Sequence, residues 1–405
     1  MNVVFYRFFV NHKDEVEFEN FSTDSIYDAE RQFFTLRKNY FFDVLKDFNI
    51  IVDENDINGI DDFTLIVGFD PTFKELFSLT DREDFNQLIN RYSDKIRKIV
   101  FWEMDTDWTN WSKVEYDAKK IVFDKYFKDK QIDYKIFSTA AKFRYDSEVG
   151  YFTGHNAMVL ERLERDLKES GYYDIYDNFE KTKFFYSTAN TMNADRAHYY
   201  KFLSDNDLWE RNNVALFSTY RNSEHTGGFN YSYITDVKGG GSLSNIDNSF
   251  TFYPRPFEDE SFTTMNYSVL SHFPRLKNTL FEMTFETMYE SNENMITQTS
   301  EKTFKPFIHK KPFLIFSYHK IFDVLSEFGF KQFDYIFNGN YDSIYDAEER
   351  LYTVLGEFKR ICNMDINEIS KIVSNNKDIQ ENNYNAMMNL FKHWRNQFIK
   401  EVSYE

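Results

Sequence analysis

At 405 residues the chain is longer than most chains that fold around a single hydrophobic core, which predicts two domains. The net charge of −18, from 66 acidic and 48 basic residues, argues against broad electrostatic attraction to nucleic acid or to an anionic membrane surface. The single cysteine, Cys362, excludes an internal disulfide and a metal cluster built from cysteines.

The start of the chain lacks the pattern of a signal peptide. Met1 leads directly into a strand-like segment that contains Arg7. No stretch approaches the roughly eighteen uncharged apolar residues that a membrane-spanning helix needs. We therefore expect a cytoplasmic protein without a membrane span.

Strands and helices alternate in the first part of the sequence. Short runs of β-branched and aromatic residues are typical of buried strands, whereas apolar residues three and four apart indicate amphipathic helices. Strands are predicted at residues 1–10, 62–69, 98–102 and 134–137, and helices at 24–49, 81–91, 114–127 and 161–170. This alternation predicts a parallel α/β sheet with a Rossmann-like layout. A GxGxxG motif is missing, so no dinucleotide is implied.

A second alternating series follows a predicted hinge at residues 171–178. Its first elements are a strand at 184–187, a helix at 193–204 and a strand at 214–217. Regular periodicity stops between residues 220 and 262, where Gly, Asn, Ser and Tyr are frequent, and we interpret this stretch as an insertion. At least two helices are predicted after residue 342, and the last covers residues 383–402.

Residues 280–330 have the pattern strand, loop, helix, strand, helix. Apolar residues alternate between positions 281 and 285, as they do in a strand. Ser300 has the properties of a helix N-cap, and Phe313–Phe316 suits a buried parallel strand. In open α/β sheets ligands bind beyond the carboxyl ends of strands, where helix N-termini present free N–H groups. The sequence therefore predicts a ligand site near the start of this helix.

Glu301 and Lys302 open the predicted helix. A lysine at this place can hold a diphosphate, and the carboxylate beside it can accept hydrogen bonds from two ribose hydroxyls. The same pair also suits an ordinary helix start, and the spacing alone does not separate the two interpretations.

The sequences FEMTFET (281–287) and SEKTFKPF (300–307), with the basic-Pro-apolar strand after them, resemble the donor-binding segment of α1,3-fucosyltransferases. That family has a phenylalanine-rich strand ending in Phe-Glu-Asn, then Thr-Glu-Lys, a helix and a Val-Pro-Val-Val type strand. The resemblance is closer to fucosyltransferase-like proteins of bacteria and phages, which have Ser-Glu-Lys-Thr-Phe-Lys-Pro and a later Leu-Gly-Phe. Here the last motif reads Phe328-Gly329-Phe330. The match covers roughly fifty residues and is weaker elsewhere.

This resemblance implies a GT-B-like α/β fold of two Rossmann-like domains with parallel sheets. The expected domains are an acceptor domain at 1–175, a nucleotide-sugar-binding domain at 176–380 with the 220–262 insertion, and a C-terminal helix at 381–405 that crosses back to the first domain. The donor-binding residues implied in the motif are Glu286, Glu301, Lys302 and Lys305, the last of which equally suits a solvated helix surface.

A second segment that resembles the family runs from Phe184 to Leu203. Related proteins have a strand followed by Asn-Arg-Arg-Pro-Arg-Pro-His-Arg; Asn190 corresponds to the asparagine and Arg196 to the last arginine. The intervening arginines are replaced here by Thr, Met, Asn and Ala at 191–194, which removes part of the expected phosphate site. Arg196 in a first helical turn could bind phosphate oxygens or could be a solvated arginine.

The predicted strand at 98–102 is followed by three acidic residues: Glu103, Asp105 and Asp107. In α1,3-fucosyltransferases a glutamate at such a strand end is the base that deprotonates the acceptor hydroxyl, and Glu103 matches it, although Met-Asp replaces the Ser-Pro that follows it there. Alternatively, Asp105 and Asp107 form the Asp-X-Asp of a metal-dependent glycosyltransferase that binds Mg²⁺ or Mn²⁺. The tryptophans nearby suit core packing or a sugar platform.

The sequence-based prediction is thus an inverting, metal-independent glycosyltransferase of bacterial or phage type, without a cofactor. It would transfer a sugar from a nucleoside diphosphate sugar, GDP-fucose-like or UDP-linked, to a hydroxyl of a glycan or of a modified DNA base. The alternative is a degenerate glycosyltransferase fold that acts as a sugar-binding or assembly protein. The missing arginines and the long insertion favour that alternative.

Overall fold

A computed structural model describes residues 1–7, 44–51, 54–69, 73–103, 113–137, 149–150, 154–175, 180–189, 194–216, 229–230, 243, 251–252, 273–286, 289 and 300–403. In these parts the chain is an α/β protein with two larger sheets whose strands are all parallel. It divides into two compact units, Met1–Val159 with Asn292–Thr299 and Asn389–Glu405, and Leu160–Ser291 with Ser300–Met388.

Six strands form the sheet of the first unit, in the order β2-β1-β3-β4-β5-β6. They are β1 (Asn2–Arg7), β2 (Asn49–Ile51), β3 (Phe63–Phe69), β4 (Ile96–Glu103), β5 (Asp133–Phe137) and β6 (Val149–Gly150). The helices of this part are α1 (Glu54–Ile57), α2 (Phe73–Ser78), α3 (Glu83–Tyr92) and α4 (Lys113–Asp129), with a 3-10 turn at Leu79–Asp81. The order reverses between β1 and β3, which makes the sheet doubly wound.

Aliphatic and aromatic side chains together form the core of the first unit. Phe101 of β4 packs edge-on against Phe127 and tilted against Phe123 of α4, with ring centroids 5.7 and 5.2 Å apart. Phe63 to Gly68 of β3 are all buried, as expected for a strand covered on both faces.

The last helix, α13 (Lys377–Val402), supplies part of this unit. Thr64 Oγ1 of β3 donates a 2.8 Å hydrogen bond to the carbonyl of Val402. The Phe398 ring lies 5.3 Å from that of Phe137, and Lys98 pairs with Glu401. These contacts explain why residues 389–405 belong to the first unit although they are the last in the chain.

Four parallel strands form the sheet of the second unit, in the order β12-β11-β7-β8. They are β7 (Lys183–Ala189), β8 (Asn213–Leu216), β11 (Thr279–Phe285) and β12 (Phe313–Phe316); β9 (Phe229–Asn230) and β10 (Thr251–Phe252), within the predicted insertion, form a separate antiparallel pair. The helices are α5 (Gly154–Glu169), α6 (Tyr172–Ile175), α7 (Ala194–Asp205), α8 (Phe273–Lys277), α9 (Glu301–Ile308), α10 (Ile321–Glu327), α11 (Ala347–Cys362) and α12 (Ile366–Asn375). Two 3-10 turns, Trp209–Arg211 and Gly339–Ser343, complete the unit.

Residues 171–175 lie in a stretch that the sequence suggested as a hinge. Tyr172 and Tyr173 donate hydrogen bonds of 3.0 and 2.8 Å to the carbonyls of His309 and Ile308, at the end of α9. Tyr172 is fully buried, so these residues are anchored in the second unit. The second unit begins at Leu160, before the expected boundary at 175.

Candidate functional site

The two central strands of the second sheet mark a topological switch point. From β7 the chain moves outward to β8, and it returns on the other side of β7 as β11. The helices that follow β7 and β11 lie on opposite faces of the sheet: Tyr199 of α7 packs on Phe285, at a 5.0 Å centroid distance, whereas His309 at the end of α9 contacts Glu282. Diverging helices leave a crevice beyond the carboxyl ends of such strands, the usual ligand position in this architecture.

The N-terminus of α9 is capped by Ser300, as predicted. Ser300 has extended backbone, and its hydroxyl accepts a 3.2 Å hydrogen bond from the Lys302 amide. Glu286, the residue after β11, adds a second cap. Its Oε1 accepts hydrogen bonds from the amides of Ser300 (3.0 Å) and Thr303 (3.1 Å) and from the Thr303 hydroxyl, and its Oε2 accepts one from the Ser300 hydroxyl at 2.7 Å. The carboxylate is buried, at 2% exposure.

This double cap corrects the expectation that the helix start presents free N–H groups. Three of its first amides, those of Ser300, Lys302 and Thr303, already donate hydrogen bonds within the protein. A protein carboxylate therefore occupies the place at the helix N-terminus that an anionic ligand would otherwise take. Binding of a phosphate here would depend on basic side chains.

Lys302 and Lys305 share one acidic partner. Glu301 Oε1 lies 3.2 Å from the Lys302 ammonium and 3.9 Å from that of Lys305. Burial lowers the pKa of Lys302, but Glu301 and Glu286 more than offset this, so its pKa lies above the usual value. Burial lowers the pKa of Lys305 despite Glu301. About a third of each lysine side chain is exposed, 30% and 35%.

Arg196 lies in the first turn of α7 and is only 6% exposed. Its positive charge lowers the pKa of Lys302. Arg196 and the Glu301–Lys302 pair lie in the first turns of the helices that follow the neighbouring strands β7 and β11, although more than a hundred residues separate them in sequence. A buried arginine in this place does not fit the alternative interpretation as a solvated helix residue.

Asp195, beside Arg196, is a site residue that the sequence analysis missed. It is fully buried, and among the described residues neither of its carboxylate oxygens accepts a hydrogen bond of good geometry, although the main-chain amides of Asp195 and Arg196 act on the carboxylate and lower its pKa. Burial raises its pKa to about 6, although Arg196 acts in the opposite direction. Buried carboxylates without partners are costly and concentrate where a ligand, water or ion completes them. An acidic residue in a first helical turn is common, so its spacing gave no signal.

Other predicted site residues lie outside the described part of the chain. Asn190, Asp105 and Asp107 are among these residues, as are Trp108 and Trp111. Glu103 is described only in its main chain: it is the last residue of β4 and pairs with Phe69 of β3. Its strand, β4, is thus the neighbour of β3, and the strand order reverses between β3 and β1.

Within the described residues, no cluster of three His, Cys, Asp or Glu side chains is arranged to hold a metal ion. No helix in the same set is long and apolar enough to cross a membrane. Comparison of the chain with protein-family models, curated proteins and solved structures returned no match.

Proposed function

We propose that this protein is a glycosyltransferase of GT-B-like architecture that binds a nucleoside diphosphate sugar in its second unit. The observation that carries the proposal is the placement of Arg196 in the first turn of α7 and of Glu301 and Lys302 in the first turn of α9, the helices that follow the neighbouring strands β7 and β11 at the switch point. Doubly wound sheets bind nucleotides at this position. The α1,3-fucosyltransferase-like sequence around Glu301 and Lys302 agrees with a GDP-fucose-like donor, and a UDP-sugar is the second donor class.

In the proposed reaction, Arg196 and Lys302 neutralise the diphosphate that leaves when the bond to the anomeric carbon breaks. Lys305 adds a third cation, and Glu301 accepts hydrogen bonds from the ribose hydroxyls. Asn190 would contact the donor from the segment before α7. Three basic side chains make a metal ion unnecessary for leaving-group stabilisation, so the proposed transfer is metal-independent.

The proposed base is Glu103 of the first unit. It would take the proton of the acceptor hydroxyl as that oxygen attacks the anomeric carbon and inverts its configuration. The proposed acceptor is a glycan hydroxyl. A hydroxyl of a modified DNA base is the second acceptor class, which the net charge of −18 disfavours because duplex binding depends on phosphate contacts. A steep loss of binding with rising salt would favour DNA.

One observation favours the alternative function of a sugar-binding or assembly protein. The cations of the site are partly neutralised by acids already present: Glu301 pairs with both lysines, and Asp195 adjoins Arg196. Together with the arginines missing at 191–194, this lowers the positive potential available for a diphosphate.

Calorimetric titration with GDP and with UDP, each with and without EDTA, tests the proposal. We expect one nucleotide to bind regardless of EDTA, and Lys302→Ala to weaken binding at least about tenfold because a charge-assisted hydrogen bond is lost. Lys310→Ala is the matched control, since Lys310 lies just beyond the other end of the same helix and pairs with Glu381. It should bind as the wild type does.

Two other outcomes would contradict the proposal. Binding that disappears with EDTA would move the site to a metal held by Asp105 and Asp107. Absence of binding by both nucleotides, together with binding of a free sugar or self-assembly, would favour the alternative function.

A further inference from the structure

Two helices at the carboxyl edge of the second sheet are capped in the same unusual way. The N-terminus of α9 is held by Glu286, fourteen residues upstream of Ser300. The N-terminus of α10 is held by Asp342, whose two oxygens accept hydrogen bonds from the amides of Ile321 (3.0 Å) and Phe322 (3.1 Å). In both cases a buried carboxylate distant in sequence binds the first amides: it supplements the local cap Ser300 in α9 and takes the place of a local side-chain cap in α10.

The two caps differ in whether candidate site residues lie between the residues that the carboxylate binds. Glu286 binds Ser300 and Thr303, on either side of Glu301 and Lys302. Fixing the residues before and after this pair fixes its main chain, and hence the directions in which both side chains leave the helix. The cap of α10 encloses no candidate site residue.

The contacts of Glu286 suit a structural anchor better than a ligand group. Oε1 accepts from two amides and from the Thr303 hydroxyl, and Oε2 accepts from the Ser300 hydroxyl. A ligand that contacted this carboxylate would have to displace hydrogen bonds from buried donors, which is costly.

We propose that Glu286 is a positioning residue: it fixes the start of α9 so that Glu301 and Lys302 face the crevice, and it does not itself touch the nucleotide. This inference rests on the proposed function for the role of the site, whereas the anchoring can be measured without any ligand.

Hydrogen–deuterium exchange read by mass spectrometry on peptides that cover residues 298–308 tests the anchoring. In Glu286→Ala, we expect the amides of Ser300 and Thr303 to exchange about tenfold faster, because buried donors lose their acceptor. Glu286→Gln keeps one oxygen that can accept from both amides, so its exchange should stay close to that of the wild type. Asp342→Ala is the matched control: it should accelerate exchange at Ile321 and Phe322 and leave residues 300–303 unchanged.

Nucleotide titration of the same variants separates positioning from contact. If Glu286 is a positioning residue, nucleotide affinity should fall in the variant whose amides exchange faster and stay unchanged in the variant whose amides do not. We therefore expect roughly tenfold weaker binding in Glu286→Ala and near wild-type binding in Glu286→Gln. Weaker binding in Glu286→Gln with unchanged exchange would overturn the proposal, since it would show direct contact. Unchanged exchange in Glu286→Ala would overturn it as well.

If the wild type binds neither GDP nor UDP, the proposed function fails, and the exchange result still decides whether Glu286 anchors the helix. If Glu286→Ala does not fold, Glu286→Asp replaces it. The shorter side chain cannot reach both Ser300 and Thr303, so faster exchange at one of these amides supports the anchor and unchanged exchange at both overturns it.

Discussion

Two buried ionisable side chains at opposite edges of the second sheet have different surroundings. At the amino edge, just before β12, Lys311 is 1% exposed and donates hydrogen bonds to the carbonyls of Leu276 and Thr279 and to the Thr279 hydroxyl, at 2.5, 2.5 and 2.7 Å. At the carboxyl edge, after β7, Asp195 is equally buried, and among the described residues its carboxylate has no hydrogen bond of good geometry, although the main-chain amides of Asp195 and Arg196 act on it and lower its pKa. The polar atoms of Lys311 are thus well satisfied, whereas those of Asp195 are not.

This difference separates residues that stabilise the fold from residues that reduce its stability. A buried polar group with all its partners is part of the folding free energy, whereas an unsatisfied one opposes folding unless a ligand completes it. Residues of the second kind are expected at functional sites. The poorly satisfied carboxylate of Asp195 therefore supports the proposed ligand site at the carboxyl edge independently of any sequence motif.

The largest effect is expected from Lys311→Met. The substitution nearly keeps the length of the side chain and removes the Lys311 hydrogen bonds to the carbonyls of Leu276 and Thr279, of which the Leu276 carbonyl keeps a bond from the Thr279 hydroxyl. The loss should lower the free energy of unfolding by about 3 kcal/mol. Urea unfolding monitored by circular dichroism measures this. A loss below about 1 kcal/mol would show that the amino edge does not depend on this lysine. Nucleotide binding should not change in the folded variant.

Asp195→Asn should have an effect of opposite sign. Burial raises the pKa of Asp195 to about 6 from 3.8, so the folded state binds the proton more tightly and stability falls as pH rises through this interval. Above it, ionisation costs about 3 kcal/mol, which an uncharged asparagine avoids. We expect the variant to be more stable than the wild type by about 1–3 kcal/mol at pH 7 and equally stable near pH 3.

Urea unfolding of both proteins at pH 3 and pH 7 checks the sign. An Asp195→Asn variant that is less stable at pH 7 would mean that the carboxylate has stabilising partners in the protein, and the contrast between the two edges would fail.

The smallest effect is expected from Lys310→Met. Lys310 is the neighbour of Lys311, but its ammonium pairs with the exposed Glu381 at 2.7 Å and lies 4.5 Å from the Tyr384 ring centroid. Partly exposed pairs of this kind contribute about 1 kcal/mol or less. Lys310→Met and Lys311→Met are the same substitution at neighbouring positions. The difference between their losses of unfolding free energy therefore measures the contribution of burial. Equal losses at the two positions would contradict this interpretation.

Local sequence patterns predicted the elements that form this edge. The predictions of Ser300 as an N-cap and of Phe313–Phe316 as a strand are confirmed. Both could be predicted because helix capping and buried strands depend on residues that are neighbours in sequence. The parallel α/β class is confirmed for both sheets. The division at residue 175 and the family-derived roles of the site residues stay predictions.

Long-range pairing could not be read from the sequence. Lys310 and Lys311 are adjacent lysines with different partners. The ammonium of Lys310 pairs with Glu381, whereas the buried ammonium of Lys311 donates a hydrogen bond to the Thr279 hydroxyl. Similarly, the link from Glu286 to Ser300 and Thr303 depends on how β11 and α9 meet in space. Such contacts follow from tertiary packing, for which a single sequence contains no periodic signal.

The hydrogen bond between Thr64 and Val402 has a consequence for biosynthesis. It joins residues 338 positions apart, so the third strand of the first sheet gains this partner only after residue 402 has left the ribosome. Until then, the surface that α13 covers around Phe137 stays exposed to chaperones and to aggregation. Residues 1–159 expressed alone would lack the same cover, so a soluble first unit needs the segment 389–405 as well.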